Sequence, residues 1–508
     1  MNLCLCRIFA VYIVAGLGTA CLAANPSWEA PLTPAAQWRK SPVTDEKGRV
    51  SYIVDLRREA RLAYPETEKA ENTARFHHRH LPQFVNMIVA FEKRYGFESR
   101  EQTSWVGDSF VATLTPEQLR GIRADPAVAM VTEETYMELS APPPPWSDTT
   151  YASGSWPYWE TSSWGRVATN GKQSNGTSRV YIIDIGVGNH TDLASVALRV
   201  NASCGSPGTT GCPAISPVGC YPHATHVAGI IGATYGNLGV AGVLAGAPIY
   251  SVAMSFANAI GGGKTCGSRT IVSGAIESAM DYVKWHLIFN SPYKVGIVNI
   301  SINGPEFKSP GSCTPNDPST CGTYNAKIID LITPSAAWGG LTYPGAFVAQ
   351  SAGNGFVDAC DVAFNYGAPS WTNTADGVMV VGGIDSTGAA VTPANGGFTN
   401  TLTSSDLGSN WGACVEAWAP SKNLVSTYGP LYSFNDADST TWQDEATPYG
   451  QYGVLSGTSM AAPHIAAAAA YLSEHNTFAN PGAVESAVRS YFIWYGATDA
   501  SGRPVNIV

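Results

Sequence analysis

Charge is scarce in this chain. Asp, Glu, Lys and Arg make up 13% of its 508 residues, against about 25% in an ordinary globular protein. A coiled coil, which needs abundant Glu and Lys, is excluded. Hydrophobic content is an ordinary 44%, which excludes disorder through low hydrophobicity. The net charge of −10 leaves no basic footprint for nucleic acid. No Cys-x-x-Cys pair occurs, which argues against a zinc site. After the first 24 residues no apolar run reaches the ~20 residues that span a membrane. No Gly-x-Ser-x-Gly elbow occurs, which removes the α/β-hydrolase arrangement.

The scarcity is uneven. Residues 25–140 hold 15 Lys+Arg and 17 Asp+Glu, about 28% of that stretch, whereas residues 141–508 hold 13 and 22, about 10%. Two kinds of surface are joined in one chain, and the step marks a domain boundary. Pro142 to Pro145 follow it; four prolines cannot enter a helix or central strand, so they read as an extended linker. At roughly 150 residues per domain the length suits two to four domains. The boundaries are set at 1–24, 25–140, 141–160 (linker) and 161–508.

Residues 1–24 read as a secretory signal peptide. Arg7 is followed by an apolar stretch from Ile8 to Leu22 and small residues at Cys21, Ala23 and Ala24. The expected location is secreted or extracellular, with the periplasm as second choice and no membrane attachment after signal removal. Of eleven cysteines, eight follow residue 200: Cys204, Cys212, Cys220, Cys266, Cys313, Cys321, Cys360 and Cys414. An even count in an exported chain favours disulfides, with 105 pairings open. Short loops rich in Gly, Pro, Ser and Thr favour Cys204–Cys212 and Cys313–Cys321; Cys220–Cys266 and Cys360–Cys414 remain by elimination.

In the charge-rich part, Ser51 to Leu56 reads as a strand. Leu81, Phe84, Val85, Ile88, Phe91 and Tyr95 share one helix face. A strand near Gln102 to Val106 precedes another through Phe110, Ala112 and Leu114. Thr115, Pro116 and Gln118 then begin a short helix with a capping box, and Val128 to Val131 is a strand. The order β-α-β-β-α-β predicts a small α+β (ferredoxin-like) domain. After residue 176, strands alternate with helices: strands at Arg179–Asp184, Ile249–Met254, Val295–Ile302, Ala346–Ser351 and Val378–Gly383, and helices at His223–Ala233, Ile271–Ile288 and Tyr324–Ile332. Nearly continuous apolar strands mark a mostly parallel, doubly wound α/β sheet flanked by helices. Its ligands would sit beyond the carboxyl ends of the strands.

Ser459 lies in Ser456-Gly457-Thr458-Ser459-Met460-Ala461-Ala462-Pro463-His464, ahead of an Ala-rich run. At a helix start, free N–H groups favour developing negative charge; a plain cap is the simpler alternative. His223 and His226 stand three apart, a spacing open to metal ligation or to core histidines. Asp184 ends a strand, and Asn354 could be a turn residue. Together these residues supply a nucleophile, a base and an orienting carboxylate. The order Asp184, His223, Ser459 is that of subtilisin.

On these motifs the chain resembles the subtilisin-like serine proteases over nearly all its length. Gly457 to Ala461 with Pro463-His464 is similar to the family's serine motif. His223 and Thr225 to Gly229 resemble its histidine motif, and Val180 to Asp184 with Gly186 its aspartate motif. Ser351 to Asn354 resembles the oxyanion segment. The charge-rich part is similar to the family's propeptide, an intramolecular chaperone and inhibitor, notably at Ser109 to Leu119 and Asp125 to Glu134. The resemblance implies a self-processing zymogen and a subtilisin-like fold. It implies catalysis by Asp184, His223 and Ser459, with an oxyanion hole from Asn354 and the Ser459 N–H. It places Ser301, Ile302, Asn303, Gly304, Gly267, Ser351, Ala352 and Gly353 along a peptide or protein substrate. Self-cleavage is expected near residues 137–148, with Tyr136 to Leu139 in the cleft. No cofactor is needed for catalysis; structural Ca2+ is common in the family, with no ligands evident in this sequence. A monomer is expected.

The chain departs from the family at four places. Ile185 replaces a hydroxyl residue that can bond the aspartate. Ala224 replaces a Gly after the histidine, Asn303 a pocket Gly, and Ala467 a Gly in the serine helix. The first three support an alternative, a catalytically silent secreted homologue acting as a binding protein. The related carboxyl-type serine peptidases lack the histidine motif and fit less well. Asn175, Asn189, Asn201 and Asn299 head acceptor sequences for glycosylation, the last on an expected buried strand.

Overall fold

A computed structural model describes residues 42–45, 47–64, 76, 79–139, 163–202, 222–236, 239–254, 270–290, 294–303, 323–336, 340–359, 375–398, 407–428, 432–434, 442–444 and 452–507. The charge-rich part folds as expected from its pattern. Strands β1 (Ser51–Leu56), β2 (Ser99–Thr103), β3 (Asp108–Thr113) and β4 (Val128–Glu133) form an antiparallel sheet in the order β2-β3-β1-β4. Helix α1 (Pro82–Tyr95) starts with Pro at its first position and ends at Gly96, whose φ of 71° suits a residue without Cβ. Helix α2 (Pro116–Arg123) carries the Thr115–Gln118 capping box.

The alternation of side chains along this sheet explains where the charges go. Tyr52, Val54, Leu56, Phe110 and Ala112 share a core with Phe84, Ile88 and Phe91 of α1. The intervening residues point to the other face, yet β1 is buried throughout. That second face lies on two helices of the large domain, α4 (Ser273–Asn290) and α5 (Thr323–Ile332). Asp55 pairs with Lys327 at 3.0 Å, Arg58 with Asp330 at 3.1 Å and Arg79 with Asp281 at 3.0 Å. Gly274 opens α4; a Cβ there would stand 2.6 Å from Val111 Cγ2, so glycine permits the close approach.

The large domain is built on a nine-stranded sheet. Its strands are β6 (Val180–Asp184), β7 (Val196–Asn201), β8 (Ile249–Ala253), β10 (Gly296–Ile300), β12 (Ala346–Ser351), β13 (Val378–Ile384), β14 (Ala417–Pro420), β17 (Ile493–Thr498) and β18 (Pro504–Ile507), in the order β17-β18-β14-β13-β12-β10-β6-β8-β7. Pairings among the strands β6 to β14 are parallel, and only the edge strand β17 runs antiparallel. Helices cover both faces. Tyr181 of β6 bonds His286 of α4 at 2.8 Å, whereas Asp184, on the opposite face, reaches helix α3 (Pro222–Gly232). The long helix α6 (Thr458–His475) is buried with α3 in the main core, and α7 (Pro481–Arg489) closes the domain. The chain passes from β8 on one side of β6 to β10 on the other. The gap between β6 and β10 is therefore the topological switch point.

Three of the boundaries that differ from expectation do so for a tertiary reason. The strand expected to run to Val106 stops at Thr103, because the N–H groups of Ser104, Trp105 and Val106 turn to the Asp281 carboxylate at 2.8, 2.5 and 3.1 Å. The helix expected from Ile271 begins at Ser273, because Thr270–Val272 is strand β9. The strand expected through Ile302 breaks at Ser301: β10 ends at Ile300, and Ile302–Asn303 is a separate strand, β11. Both β9 and β11 flank strand β5 (Tyr136–Leu139), the end of the charge-rich part, in a three-stranded antiparallel sheet. Among the described residues no helix is long and apolar enough to cross a membrane.

Candidate active site

Asp184 is the last residue of β6 and is 1% exposed. Its Oδ2 lies 2.8 Å from His223 Nδ1, and its Oδ1 accepts the Ile185 N–H at 2.7 Å. The main chain thus supplies a second hydrogen bond to the carboxylate although Ile185 brings no hydroxyl. His223 is the second residue of α3 and is fully buried. Its other ring nitrogen, Nε2, has no hydrogen-bond partner among the described residues. An imidazole held through Nδ1 by a carboxylate, with Nε2 open, has the form of a general base.

Ser459 is the second residue of α6. Gly457 before it has φ 150°, in the region that favours glycine, and turns the chain from β16 (Tyr452–Leu455) into the helix. Pro463 stands four residues after Ser459. It has no N–H, so the Ser459 carbonyl loses its helical partner. The Ser301 hydroxyl fills the vacancy, donating to that carbonyl at 2.9 Å, and Asn299 Nδ2 donates to Ser301 Oγ at 3.0 Å. In return the Ser459 hydroxyl donates to the Ser301 carbonyl at 2.9 Å. The nucleophile candidate is therefore clamped at both ends by the residue where β10 gives way to β11.

Asn354 follows β12 and is 7% exposed. Its Oδ1 accepts the Thr458 N–H and the Thr458 hydroxyl, both at 2.9 Å. Gly353 N–H donates to Thr458 Oγ1 at 3.0 Å. Fixing the amide oxygen in this way fixes the direction of the amide nitrogen. Sequence reasoning singled out Asn354 and Ser301 but missed Asn299 and Thr458 as their supports. Each stood within a quoted motif, but no spacing rule ties them to their partners.

His226 is a core histidine. Its Nε2 lies 3.0 Å from the Leu424 carbonyl and 3.2 Å from that of Gly453, and burial pushes its pKa down to about 3. It remains neutral and faces β15 (Leu424–Thr427). Gly229, one helical turn on, would bring a Cβ to 2.2 Å from Thr427 Oγ1. Ala224 is fully buried. Asn299 is also fully buried, as expected for its strand.

Ser301 bonds Ser459 and Gly353 bonds Thr458; Ser351 ends β12, Ala352 follows it, and Ile302 and Asn303 form β11. Gly267 and Gly304 lie outside the described residues, as do Cys204, Cys212, Cys220, Cys266, Cys313, Cys321 and Cys360. Cys414 is buried and disulfide-bonded. Among the described residues no group of three His, Cys, Asp or Glu could hold a metal ion.

The sequence model of the subtilase family matches residues 176–492. An alkaline serine exoprotease A from Vibrio alginolyticus is 26% identical over 397 residues, covering 77% of this chain and 57% of that protein. An alkaline extracellular protease from Yarrowia lipolytica is 29% identical over 269 residues, covering 52% and 43%. The chain therefore spans less than two thirds of the length of either relative. Among solved structures, a cold adapted subtilisin-like serine proteinase aligns at 22% identity with a TM-score of 0.39, covering 65% of this chain and 88% of that one.

Proposed function

The chain belongs to the subtilase family, and from that premise we propose that it is a serine endopeptidase acting through Asp184, His223 and Ser459. The observation that carries the reading is the buried Asp184–His223 pair at 2.8 Å, with the imidazole Nε2 open and Ser459 at the start of a buried helix. Ser459 attacks the scissile carbonyl carbon when its hydroxyl leaves the Ser301 carbonyl for His223 Nε2. His223 takes the hydroxyl proton and returns it to the departing amine, and Asp184 holds the imidazole and stabilises its charged form. The Asn354 amide and the Ser459 N–H face the developing oxyanion. Water then releases the acyl group.

Residues 25–140 act as a propeptide in this reading, inhibiting the enzyme until it is exported and processed. The position of β5 between β9 and β11 supports it, because an extended strand there lies where a substrate backbone would pair. The names of the relatives, which include an alkaline extracellular protease, are in keeping with an exported enzyme. The decisive experiment is hydrolysis of casein by the purified, processed chain. Ser459→Ala should abolish turnover, and a variant with undiminished turnover would sink the assignment. Labelling of Ser459 by a fluorophosphonate separates an active enzyme from a silent homologue.

A further inference from the structure

We propose that a cavity at the amino ends of β6 and β10 binds a small organic carboxylate, at a site separate from the candidate active site. The cavity measures about 220 Å³. A single water needs only about 10–15 Å³, so the space suits a small organic molecule. Its wall includes Arg179 just before β6, Gly296 at the start of β10, and Ser473 to His475 at the end of α6. Asp184 and Ser459 lie at the opposite ends of β6 and α6. The 18 residues of α6 span about 27 Å at 1.5 Å each, so the cavity stands well away from the nucleophile.

The cavity is rich in uncommitted donors. Arg179, half-buried, donates through Nη1 to the Asn290 carbonyl at 2.8 Å, and its guanidinium lies 5.4 Å from the Tyr250 ring. Lys294, exposed at the rim, donates to the Thr177 carbonyl at 3.3 Å. Among the described residues no carboxylate pairs with either cation. The Ser473 hydroxyl oxygen is buried and has no hydrogen-bond partner there. An unpaired buried hydroxyl is a cost that a ligand's oxygen would remove.

The acceptors that would repel an anion are already engaged. The Glu474 carboxylate accepts the Ser174 hydroxyl and, at 3.0 Å, the Asn175 N–H. At the end of α6 the Tyr471 carbonyl meets His475 Nδ1 at 2.8 Å, and the Leu472 carbonyl accepts from Asn476 Nδ2 at 3.0 Å. Spare donors with satisfied acceptors call for a ligand that brings oxygens and negative charge. The planar fork of Arg179 matches a carboxylate. Leu287, Val295 and Phe478 line the same space, which favours a carboxylate carrying a short apolar chain over inorganic phosphate. The carboxyl end of a peptide and a free short-chain acid share that chemistry.

The test is calorimetric titration of the full-length chain carrying Ser459→Ala, in which β5 keeps the cleft filled. N-acetyl-leucine carries the carboxylate beside an amide, as a peptide end does; 4-methylpentanoate carries it alone; N-acetyl-leucinamide lacks the charge. One or both carboxylates should bind saturably at one site, and the leucinamide at least about tenfold more weakly. Tighter binding of N-acetyl-leucine identifies a peptide end as the source, and equal or tighter binding of 4-methylpentanoate a free acid. Arg179→Gln should weaken the bound carboxylate by about ten- to a hundredfold, the scale of one charge-assisted hydrogen bond. Should that variant fail to fold, Lys294→Gln, at the surface, carries the same test. Absence of saturable carboxylate binding, equal binding of the leucinamide, or an affinity within twofold of the parent in both variants overturns the site. Tighter binding of inorganic phosphate than of either carboxylate overturns the ligand class.

Discussion

Replacing Asp281 with Ala should loosen the grip of the amino-terminal domain on the large domain without altering catalysis. Asp281 lies on α4, is fully buried, and receives main-chain N–H groups from Ser104, Trp105 and Val106 on one oxygen. Its other oxygen is bonded by Arg79 Nε at 3.0 Å. Arg79 also donates to the Ala202 and Ser278 carbonyls. Truncating the carboxylate takes the Asp281 charge from the buried Arg79 guanidinium and the Asp281 acceptor from three amides. Removing one partner of a buried, hydrogen-bonded charge pair costs about 2–5 kcal/mol of binding, and the three amides put this case in the upper half, a weakening of roughly two to four powers of ten. The assay is inhibition of the processed enzyme by separately supplied residues 25–140, comparing the inhibition constants of wild type and Asp281→Ala. Turnover of a small peptide by the processed variant should be unchanged, because Asp281 touches neither His223 nor Ser459. An inhibition constant within twofold of wild type would refute the reasoning.

Asn354→Ala should lower kcat by about a hundred- to a thousandfold with little change in KM, as for loss of one oxyanion donor; steady-state kinetics on a peptide substrate decide it. Gly229→Ala forces a methyl group against Ser426, Thr427 Oγ1 and the Thr427 N–H and should cost about 1–3 kcal/mol, read as a lower Tm. Docking of the amino-terminal domain should weaken as pH rises. Burial against α4 pushes the Glu101 carboxyl up to about 7, opposed by the Arg100 and Arg79 charges and the Ser278 hydrogen bond and reinforced by Glu134. The docked group holds a proton that the freed group gives up above its usual value. The favourable contribution is therefore complete below that value and lost as pH climbs to about 7. The inhibition constant should rise by at most tenfold per pH unit in that window, and Glu101→Gln should flatten the profile.

Some of the site was legible in the chain and some was not, and the division follows contact range. The order Asp184, His223, Ser459, the glycine at 457 and the capping box at Thr115 are local or motif-bound; the structure pairs Asp184 with His223 and bonds Ser459 to Ser301 past the end of β10. The link from Asn299 through Ser301 to the Ser459 carbonyl was not legible. It joins residues 158 positions apart and exists only because Pro463 withholds an N–H. Ile185 looked damaging as a side chain, yet its main-chain N–H bonds the aspartate.

The sequence by itself determined the two-part division, the alternation of strands and helices and the chemistry available at the candidate site. Each is written in composition, in hydrophobic period or in adjacent residues. Tertiary structure decided that strands stop at Thr103 and Ile300 and that a new one starts at Ile302, and which partners the buried charges of the amino-terminal domain take. It also decided that Tyr136–Leu139 lies between Thr270–Val272 and Ile302–Asn303. The physical reason is that a backbone N–H or a buried carboxylate must find a partner, and these found theirs in segments distant along the chain, which no local pattern encodes.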